Sequence, residues 1–386
     1  MTFADGLRIR RSVKSPAEGG HFTIRRPGPG GPRIEPICQP IGFYGQFLKP
    51  GPWHVRCKIY RIMAKRISIY RTFQRLCLLT IAAALAGANA NAAEVQTRYL
   101  YHLSNFDGPV TSTWARIALD EFRNETYLID QSEVRVFDAN GMEIFRFGED
   151  SGLGLILDVA VKKNGEILVL SSVQSRESLL VCDYRGMPLR RFSLADAPPE
   201  YSDPTPYDIL IQEDRLYLVD DESLRIVVSD TQGRFLQGYD IAALLQIADN
   251  RRIVTPIDGF SVDESGRMLF SIPVLFSVYR LSPDGEIEIH KRPGSAPGKF
   301  NMVAGIVSDD RGNFFVADRL KNAILVFDGK FQFLGQFGYR GLRPDNLFGP
   351  KYLAIDNRNR LYVSQLREHG VSVFDISYSD SEPEGR

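Results

Sequence analysis

The sequence predicts an all-β protein, a six-bladed β-propeller, on three observations. A pattern of four short apolar strands separated by polar turns recurs six times from residue 114 onward. The residues that end the first strand of each copy, at positions 120, 162, 212, 263, 309 and 356, follow one another in steps of 42, 50, 51, 46 and 47. No segment of this region sustains a helical period, apart from a short turn at 241–247. Four strands in each unit of roughly 40–50 residues are typical of propeller blades.

The sixth copy has only three strands, which predicts how the ring closes. The clearest copy, at 305–338, has four apolar runs rich in Val, Ile and Phe, as expected of strands buried between neighbouring blades. A sixth blade without its outer strand would leave an unpaired edge. We therefore expect the segment 98–103 to pair as its fourth strand, because a ring of blades is stabilised when the two chain ends meet in one blade. The predicted propeller covers 97–378, and 379–386 forms a polar acidic tail.

Charge divides the 386-residue chain into two parts, although the formal net charge is zero. Residues 1–92 hold 15 Lys and Arg against Asp5, Glu18 and Glu35, which leaves 47 − 15 = 32 basic and 47 − 3 = 44 acidic residues in 93–386. This body therefore has a formal charge of about −12, which disfavours nucleic-acid or anionic-membrane binding.

Residues 63–92 have the composition of a bacterial signal peptide. Basic residues precede a 13-residue apolar stretch, Leu76–Ala88, and Ala90-Asn91-Ala92 satisfies the small-residue rule for cleavage. The stretch is shorter than the roughly 17–25 residues of a membrane-spanning helix, so we expect no stable span after cleavage near Ala92. The predicted location is the periplasm or the medium. Met63 then acts as the start, and 1–62 is a disordered upstream extension; the alternative is a genuine basic tail.

Equivalent positions across the blades predict the candidate site. The residue four before the end of each first strand starts that strand, and these starts share one end of a propeller channel. In chain order the six positions are Arg116, Asp158, Asp208, Gly259 (preceded by Asp258), Gly305 and Tyr352. We therefore predict that Arg116, Asp158, Asp208, Asp258 and Tyr352 form a ligand- or partner-binding set at the channel mouth.

The three aspartates of this set allow different interpretations. Asp158, Asp208 and Asp258 are oxygen ligands that suit Ca²⁺, or a cationic group of a ligand. The favoured interpretation is structural, because an Asp at the start of a strand often accepts hydrogen bonds from nearby backbone N–H groups. The carboxylates in the first turns, such as Asp120 and Asp263, are expected to stabilise those turns.

Two segments of the fifth copy resemble the NHL repeat. They are Asn313-Phe-Phe-Val-Ala-Asp318 and Asn322-Ala-Ile-Leu-Val-Phe-Asp328, and the resemblance covers roughly 114–378, with Ser171 and Ile272 departing from the pattern in copies two and four. The chain is similar to exported six-bladed NHL proteins of bacteria, which implies a binding scaffold that accompanies secreted or envelope complexes. Some members of the family are lyases with a metal in the central channel.

The body contains few residues suited to catalysis. Its histidines, His102, His290 and His369, fall on the closing strand, an outer strand and a loop, so they are not expected to converge as zinc ligands. Cys182 lies among apolar residues and is expected to be a buried hydrophobe. The sequence thus predicts a monomeric, non-catalytic scaffold that binds a protein or peptide at the channel mouth, in an envelope complex for example. The alternative is a metal-assisted enzyme of lyase or lactonase type that uses the channel carboxylates.

Overall fold

The computed structural model of the protein describes residues 94–148, 151–174, 176–341, 343–367 and 369–379. The predicted signal segment 63–92, the segment 1–62 and residues 380–386 of the predicted tail lie outside the described residues. Strand β1 (Glu94–His102) comes first, and a small hairpin of β2 (Ser104–Asn105) and β3 (Gly108–Pro109) follows it.

The strands after the hairpin form six blades. Blade 1 contains β4 (Arg116–Asp120), β5 (Glu125–Asp130), β6 (Glu133–Phe137) and β7 (Glu143–Phe147). Blade 2 contains β8 (Leu155–Val161), β9 (Ile167–Val173), β10 (Arg176–Cys182) and β11 (Pro188–Arg191). Blade 3 contains β12 (Asp208–Gln212), β13 (Arg215–Asp220), β14 (Arg225–Asp230) and β15 (Phe235–Asp240). A short helix, α1 (Ile241–Leu244), follows blade 3 at the predicted turn.

Blade 4 contains β16 (Asp258–Val262), β17 (Met268–Ile272), β18 (Ser277–Leu281) and β19 (Ile287–Lys291). Blade 5 contains β20 (Val303–Ser308), β21 (Phe314–Asp318), β22 (Ala323–Phe327) and β23 (Phe333–Phe337). Blade 6 contains β24 (Leu353–Ile355), β25 (Arg360–Ser364) and β26 (Val371–Ser379). Single 3-10 turns occur at Pro199–Tyr201, Asp249–Val254 and Pro273–Leu275. In the part of the chain that the structure describes, no helix is long and apolar enough to cross a membrane.

The predicted closure of the ring is confirmed. Strand β1 pairs antiparallel with β26, so that the sheet order of blade 6 is β1-β26-β25-β24. The pairing runs from Glu94 opposite Ser379 to His102 opposite Ser372, which is longer than the predicted segment 98–103. The outer strand of the last blade therefore comes from the other end of the body.

The hydrophobic core lies between the blades. Each of six apolar clusters joins two neighbouring blades, and blades 6 and 1 form one of these pairs. Strands β21 and β22 are buried along their whole length because they contact a blade on each face. This arrangement explains why the sequence shows continuous apolar runs here rather than alternation.

Aspartates stabilise the turns, as expected. In blade 4 the Asp263 carboxylate accepts hydrogen bonds from the backbone N–H groups of Ser265 (2.8 Å) and Arg267 (3.0 Å). The Asp138 carboxylate accepts equivalent bonds from Asn140 and Met142, both at 2.9 Å, in a turn that Gly141 completes at φ +79°. These bonds satisfy turn amides that would otherwise lack a partner in the protein.

Candidate functional site

All six first strands begin at the same end of the channel. In each antiparallel blade the start of the first strand is paired with the end of the second, as in Arg116 with Ile129 and Asp208 with Val219. The connections into the first strands and those between second and third strands therefore share this end. We call it the mouth end.

A channel of about 540 Å³ runs between the six first strands. The first strands of blades 4, 5 and 6 approach one another closely at the mouth end, because glycines occupy the equivalent positions in blades 4 and 5. A Cβ added to Gly259 would lie 2.4 Å from Gly305 Cα, and a Cβ on Gly305 would lie 2.5 Å from the Lys351 carbonyl oxygen. The Gly305 N–H donates to that same carbonyl oxygen at 2.7 Å. Glycine is needed here for close approach of the strands, and it leaves room for side chains from other blades to cross the channel.

Arg116 lies at the centre of the mouth end and contacts two of the predicted carboxylates. Its Nη1 is 2.8 Å from Asp208 Oδ2 and 3.6 Å from Asp158 Oδ2. Its guanidinium carbon lies 4.2 Å from the ring centre of Tyr207 and 4.9 Å from that of Tyr352. Blades 1, 2, 3 and 6 therefore meet at one cation. The structure brings Arg116, Asp158, Asp208 and Tyr352 together, and their binding of a ligand or partner stays a prediction.

Two tyrosines join opposite blades across the channel. The hydroxyl oxygens of Tyr207, from the connection into blade 3, and Tyr352, from the connection into blade 6, are 3.5 Å apart. Blades 3 and 6 are opposite each other in a ring of six, so this contact spans the channel axis. Burial raises the pKa of Tyr207 further above its ordinary value of 10, so the hydroxyl is protonated at neutral pH with or without this shift.

Asp158 has the structural role that the sequence favoured. One carboxylate oxygen accepts the N–H of Val159 and the other accepts the N–H of Ile209, both at 2.9 Å, so the residue ties blade 2 to blade 3. Burial raises the pKa of Asp158 well above its usual range, and the Arg116 charge opposes that rise. The Arg116 pKa is raised in turn: desolvation lowers it, and the charges of Asp208 and Asp158 more than offset this.

Asp258 belongs to a neighbouring cluster centred on a lysine. Lys351 Nζ is 3.6 Å from Asp258 Oδ1 and 4.5 Å from the Tyr352 ring centre. Next to it, the Arg319 guanidinium stacks 4.1 Å from the ring centre of Trp114. Burial raises the pKa of Asp258, and the charges of Lys351, Arg319 and Arg116 oppose the rise.

The structure adds four residues that sequence comparison of the blades missed: Tyr207, Lys351, Arg319 and Trp114. Tyr207 and Lys351 immediately precede the compared positions, Asp208 and Tyr352, so extending the comparison by one residue would have found them. Arg319 lies between the second and third strands of blade 5 and has no place in that alignment. Trp114 donates its indole N–H to the Gly349 carbonyl (2.8 Å), a contact 235 residues away in the chain.

The predicted site residues are largely buried, which limits their contact with a partner. Arg116 is 9% exposed, and Asp158, Asp208 and Asp258 are 4%, 8% and 8% exposed. Within the described ranges, no group of three His, Cys, Asp or Glu side chains is arranged to hold a metal ion. Calcium at Asp158, Asp208 and Asp258 stays a prediction, as does the metal-assisted enzyme that depends on it; metal analysis of the purified protein tests both.

Two of the three histidines are closer to one another than the sequence suggested. Burial, and then the nearby His369, lower the pKa of His102. His102 contacts the Tyr99 hydroxyl at 2.5 Å and the Ser372 hydroxyl at 3.0 Å, both within blade 6. His290 lies apart on β19, stacked on Phe331. Cys182 is buried as expected, and burial raises the pKa of its thiol to about 12.

Eight large apolar residues are exposed at the mouth end. They lie in the connections into first strands or between second and third strands, or at the strand residue next to such a connection, and we call this set the apolar rim: Leu155, Val173, Ile253, Val254, Val274, Phe276, Leu320 and Tyr339. The described turns at the opposite end expose four: Phe122, Met142, Tyr184 and Met187. Groups of exposed apolar side chains mark interaction sites more often than isolated ones do.

Comparison with known proteins shows the fold. No protein-family model matches the sequence, and no curated protein matches it. A protein of unknown function from Bacteroides thetaiotaomicron is 14% identical, with 74% of this chain and 77% of that one covered and a TM-score of 0.52.

Two enzymes are among the other solved structures that resemble this chain. Virginiamycin B lyase from Staphylococcus aureus is 12% identical, with 75% and 90% of the two chains covered and a TM-score of 0.46. A gluconolactonase from Xanthomonas campestris is 14% identical, with 76% and 93% covered and a TM-score of 0.47. Identities this low carry no information about activity. The chain is a six-bladed β-propeller, the fold that the sequence predicted.

Proposed function

We propose that this protein is an exported, non-catalytic scaffold of the NHL type that docks a protein or peptide partner on the apolar rim. The observation that carries the proposal is the apolar rim itself, with eight exposed large apolar residues at the mouth end against four in the described turns of the opposite end. The buried mouth residues around Arg116 have a structural part in this proposal. They pair with one another, and these pairs hold together the connections at the mouth end.

Phe276 adds a second argument for docking at the rim. It occupies a left-handed backbone conformation, with φ at +53°, and its side chain is 40% exposed. The equivalent connections of the other blades use the same conformation, at Gln131, Gln174, Leu224, Asn322 and Arg367. Phe276 is the one aromatic residue among these six positions, and its exposed ring is available as an anchor for a partner.

Photo-crosslinking from the two ends of the channel tests the proposal. The crosslinking amino acid p-benzoylphenylalanine is introduced at Leu320 on the apolar rim or at Phe122 on the opposite end, which are 61% and 76% exposed. We expect one discrete adduct from Leu320, identified by mass spectrometry, and none from Phe122. Val274, also on the apolar rim, serves as a second position for the crosslinking amino acid. Equal adducts from Leu320 and Phe122, or no adduct from either Leu320 or Val274, would contradict the proposal.

Export is the second part of the proposal and rests on the signal-like segment at 63–92. Cleavage after Ala92 leaves Ala93 as the new N-terminus, directly before β1. N-terminal sequencing of the protein recovered from the periplasmic fraction is expected to begin Ala93-Glu94-Val95. Recovery of the uncleaved chain from the cytoplasm alone would contradict export.

A further inference from the structure

The mouth end carries opposite charge on its two sides. In the connections 318–323, 338–352 and 364–371 of blades 5 and 6 the sequence has six basic residues against three acidic ones, although the body as a whole is acidic. We call the six basic residues the basic sector: Arg319, Lys321, Arg340, Arg343, Lys351 and Arg367. Arg319 and Lys321 flank Leu320 of the apolar rim in the sequence, and Arg340 follows Tyr339.

Several of these charges are not neutralised within the described part of the chain. Asp318 is fully buried and accepts the backbone N–H groups of Asn301 (2.7 Å) and Lys321 (3.0 Å), so it is directed away from solvent. Asp345 pairs with Arg343 at 3.1 Å, and Asp258 pairs with Lys351 at 3.6 Å. Arg340 and Arg367 form no ion pair with a described carboxylate; the third acidic residue, Glu368, lies outside the described residues.

Aromatic rings hold three of the guanidinium groups in place. Arg340 and Arg367 lie 5.1 and 4.9 Å from the ring centre of Phe348, and Arg319 stacks on Trp114. Stacking on a ring leaves the N–H edges of a guanidinium available to bind a carboxylate through two hydrogen bonds. The buried Nε of Arg319 has no hydrogen-bond partner among the described residues.

The opposite side of the mouth end is acidic. In the connections 172–177, 192–207 and 220–225 of blades 2 and 3 the sequence has seven acidic residues against two arginines. Burial raises the pKa of Glu177, and the negative charges of Glu222 and Asp221 raise it further. A long polyanion laid across the mouth would be repelled here, whereas a short acidic segment can bind blades 5 and 6 alone.

We propose that the basic sector binds an acidic segment of the partner, through side-chain or terminal carboxylates. The inference rests on the proposed docking function and specifies the partner's chemistry. It orients the partner, with its carboxylates over blades 5 and 6 and its apolar side chains on the apolar rim.

Fluorescence of Trp114 reports binding at this place. The sequence has two tryptophans, Trp53 and Trp114, so in a Trp53→Phe full-length chain the indole emission comes from Trp114 alone. The probe is an octapeptide of glutamate, titrated at low salt and compared with an octapeptide of lysine and with single-stranded dT8. Binding is then measured in the double variant Arg340→Gln/Arg367→Gln. The matched control, Arg185→Gln/Arg191→Gln in blade 2, removes the same charge elsewhere.

We expect the glutamate peptide to change Trp114 emission and the lysine peptide to leave it unchanged. The Arg340/Arg367 double variant should bind the glutamate peptide about tenfold more weakly or worse, as loss of charge-assisted hydrogen bonds implies, and the control should bind as the parent does. An equal loss in the control, or no response to the glutamate peptide, overturns the inference. Binding of dT8 that is tighter than binding of the glutamate peptide also overturns the inference, and it would indicate a nucleic-acid-binding surface. If any of these results is obtained while the crosslinks from Leu320 persist, the basic-sector inference fails but the docking proposal stands.

Discussion

Arg116 shows how one residue organises the mouth end. Two carboxylates and two aromatic rings contact its guanidinium, and these four groups come from three other blades. A cation buried in this way is stabilised by its partners, and each partner is stabilised by the cation. The cluster therefore fixes the relative positions of the connections that carry the apolar rim.

Removing the guanidinium should destabilise the fold. Arg116→Met leaves Asp158 and Asp208 buried without a counter-charge, which costs about 3–5 kcal/mol in the free energy of unfolding. The loss should be smaller at pH 5 than at pH 7, because burial already raises the pKa of Asp158, and without Arg116 that carboxyl binds a proton more readily and loses its charge. Urea unfolding at both pH values measures it. Adding Asp208→Asn to the variant should recover part of the stability; a loss below about 1 kcal/mol at pH 7 would show that the ion pairs are dispensable.

His102 makes the stability of the fold depend on pH, and the sign of this dependence follows from the direction of its pKa shift. Its folded-state pKa is lowered by burial and by His369, below the ordinary value of 6.5. The unfolded chain then binds a proton more readily than the folded one, so the stability from neutral His102 is complete above pH 6.5 and declines as the pH falls below it. Melting temperatures between pH 5 and 8 should show this decline, and His102→Gln should reduce it. An identical pH profile in the variant would exclude His102 as its source.

At the scale of the element, β1 determines whether the ring is closed. Eight of its nine residues pair with β26, and its side chains contact both neighbouring interfaces: Tyr99 packs in the cluster of blades 5 and 6, and Tyr101 in that of blades 6 and 1. The sequence predicted this pairing because the last blade lacked a strand and 98–103 had no blade of its own. It did not predict the full length of β1, since residues 94–97 contain one apolar residue, Val95, which is too little to extend the apolar strand pattern of 98–103.

Deleting β1 should open the ring. Removal of 94–103 exposes the edge of β26 and the apolar residues that β1 covers, and we expect the melting temperature to fall by about 10 °C or more, which corresponds to several kcal/mol in a domain of this size. The control is Phe106→Ser in the adjoining hairpin, where the side chain is fully exposed and no change is expected. Equal melting temperatures for the deletion variant and the parent would mean that the ring closes without β1.

For the whole molecule, the fold could be predicted from sequence because its period is local. Six repeats of an apolar pattern specify blade number and strand order without knowledge of any distant contact. The apolar rim could not be predicted, because exposed and buried apolar residues look alike in sequence: Leu320 is exposed, whereas Leu325 five residues later is buried between blades. The basic sector could not be predicted either. The net charge of the body is negative, and this sum does not show that basic residues are concentrated on one side of the mouth end.

The central claim is that the partner binds at the mouth end, and hydrogen–deuterium exchange of the complex tests it most directly. With the partner recovered by crosslinking, backbone amides in the connections Ile272–Ser277 and Asp318–Ala323 should exchange more slowly in the complex than in the free protein. Amides in the turns of the opposite end, Asp120–Glu125 among them, should exchange at the same rate in both. Protection confined to that opposite end, or no protection at either, would contradict the account.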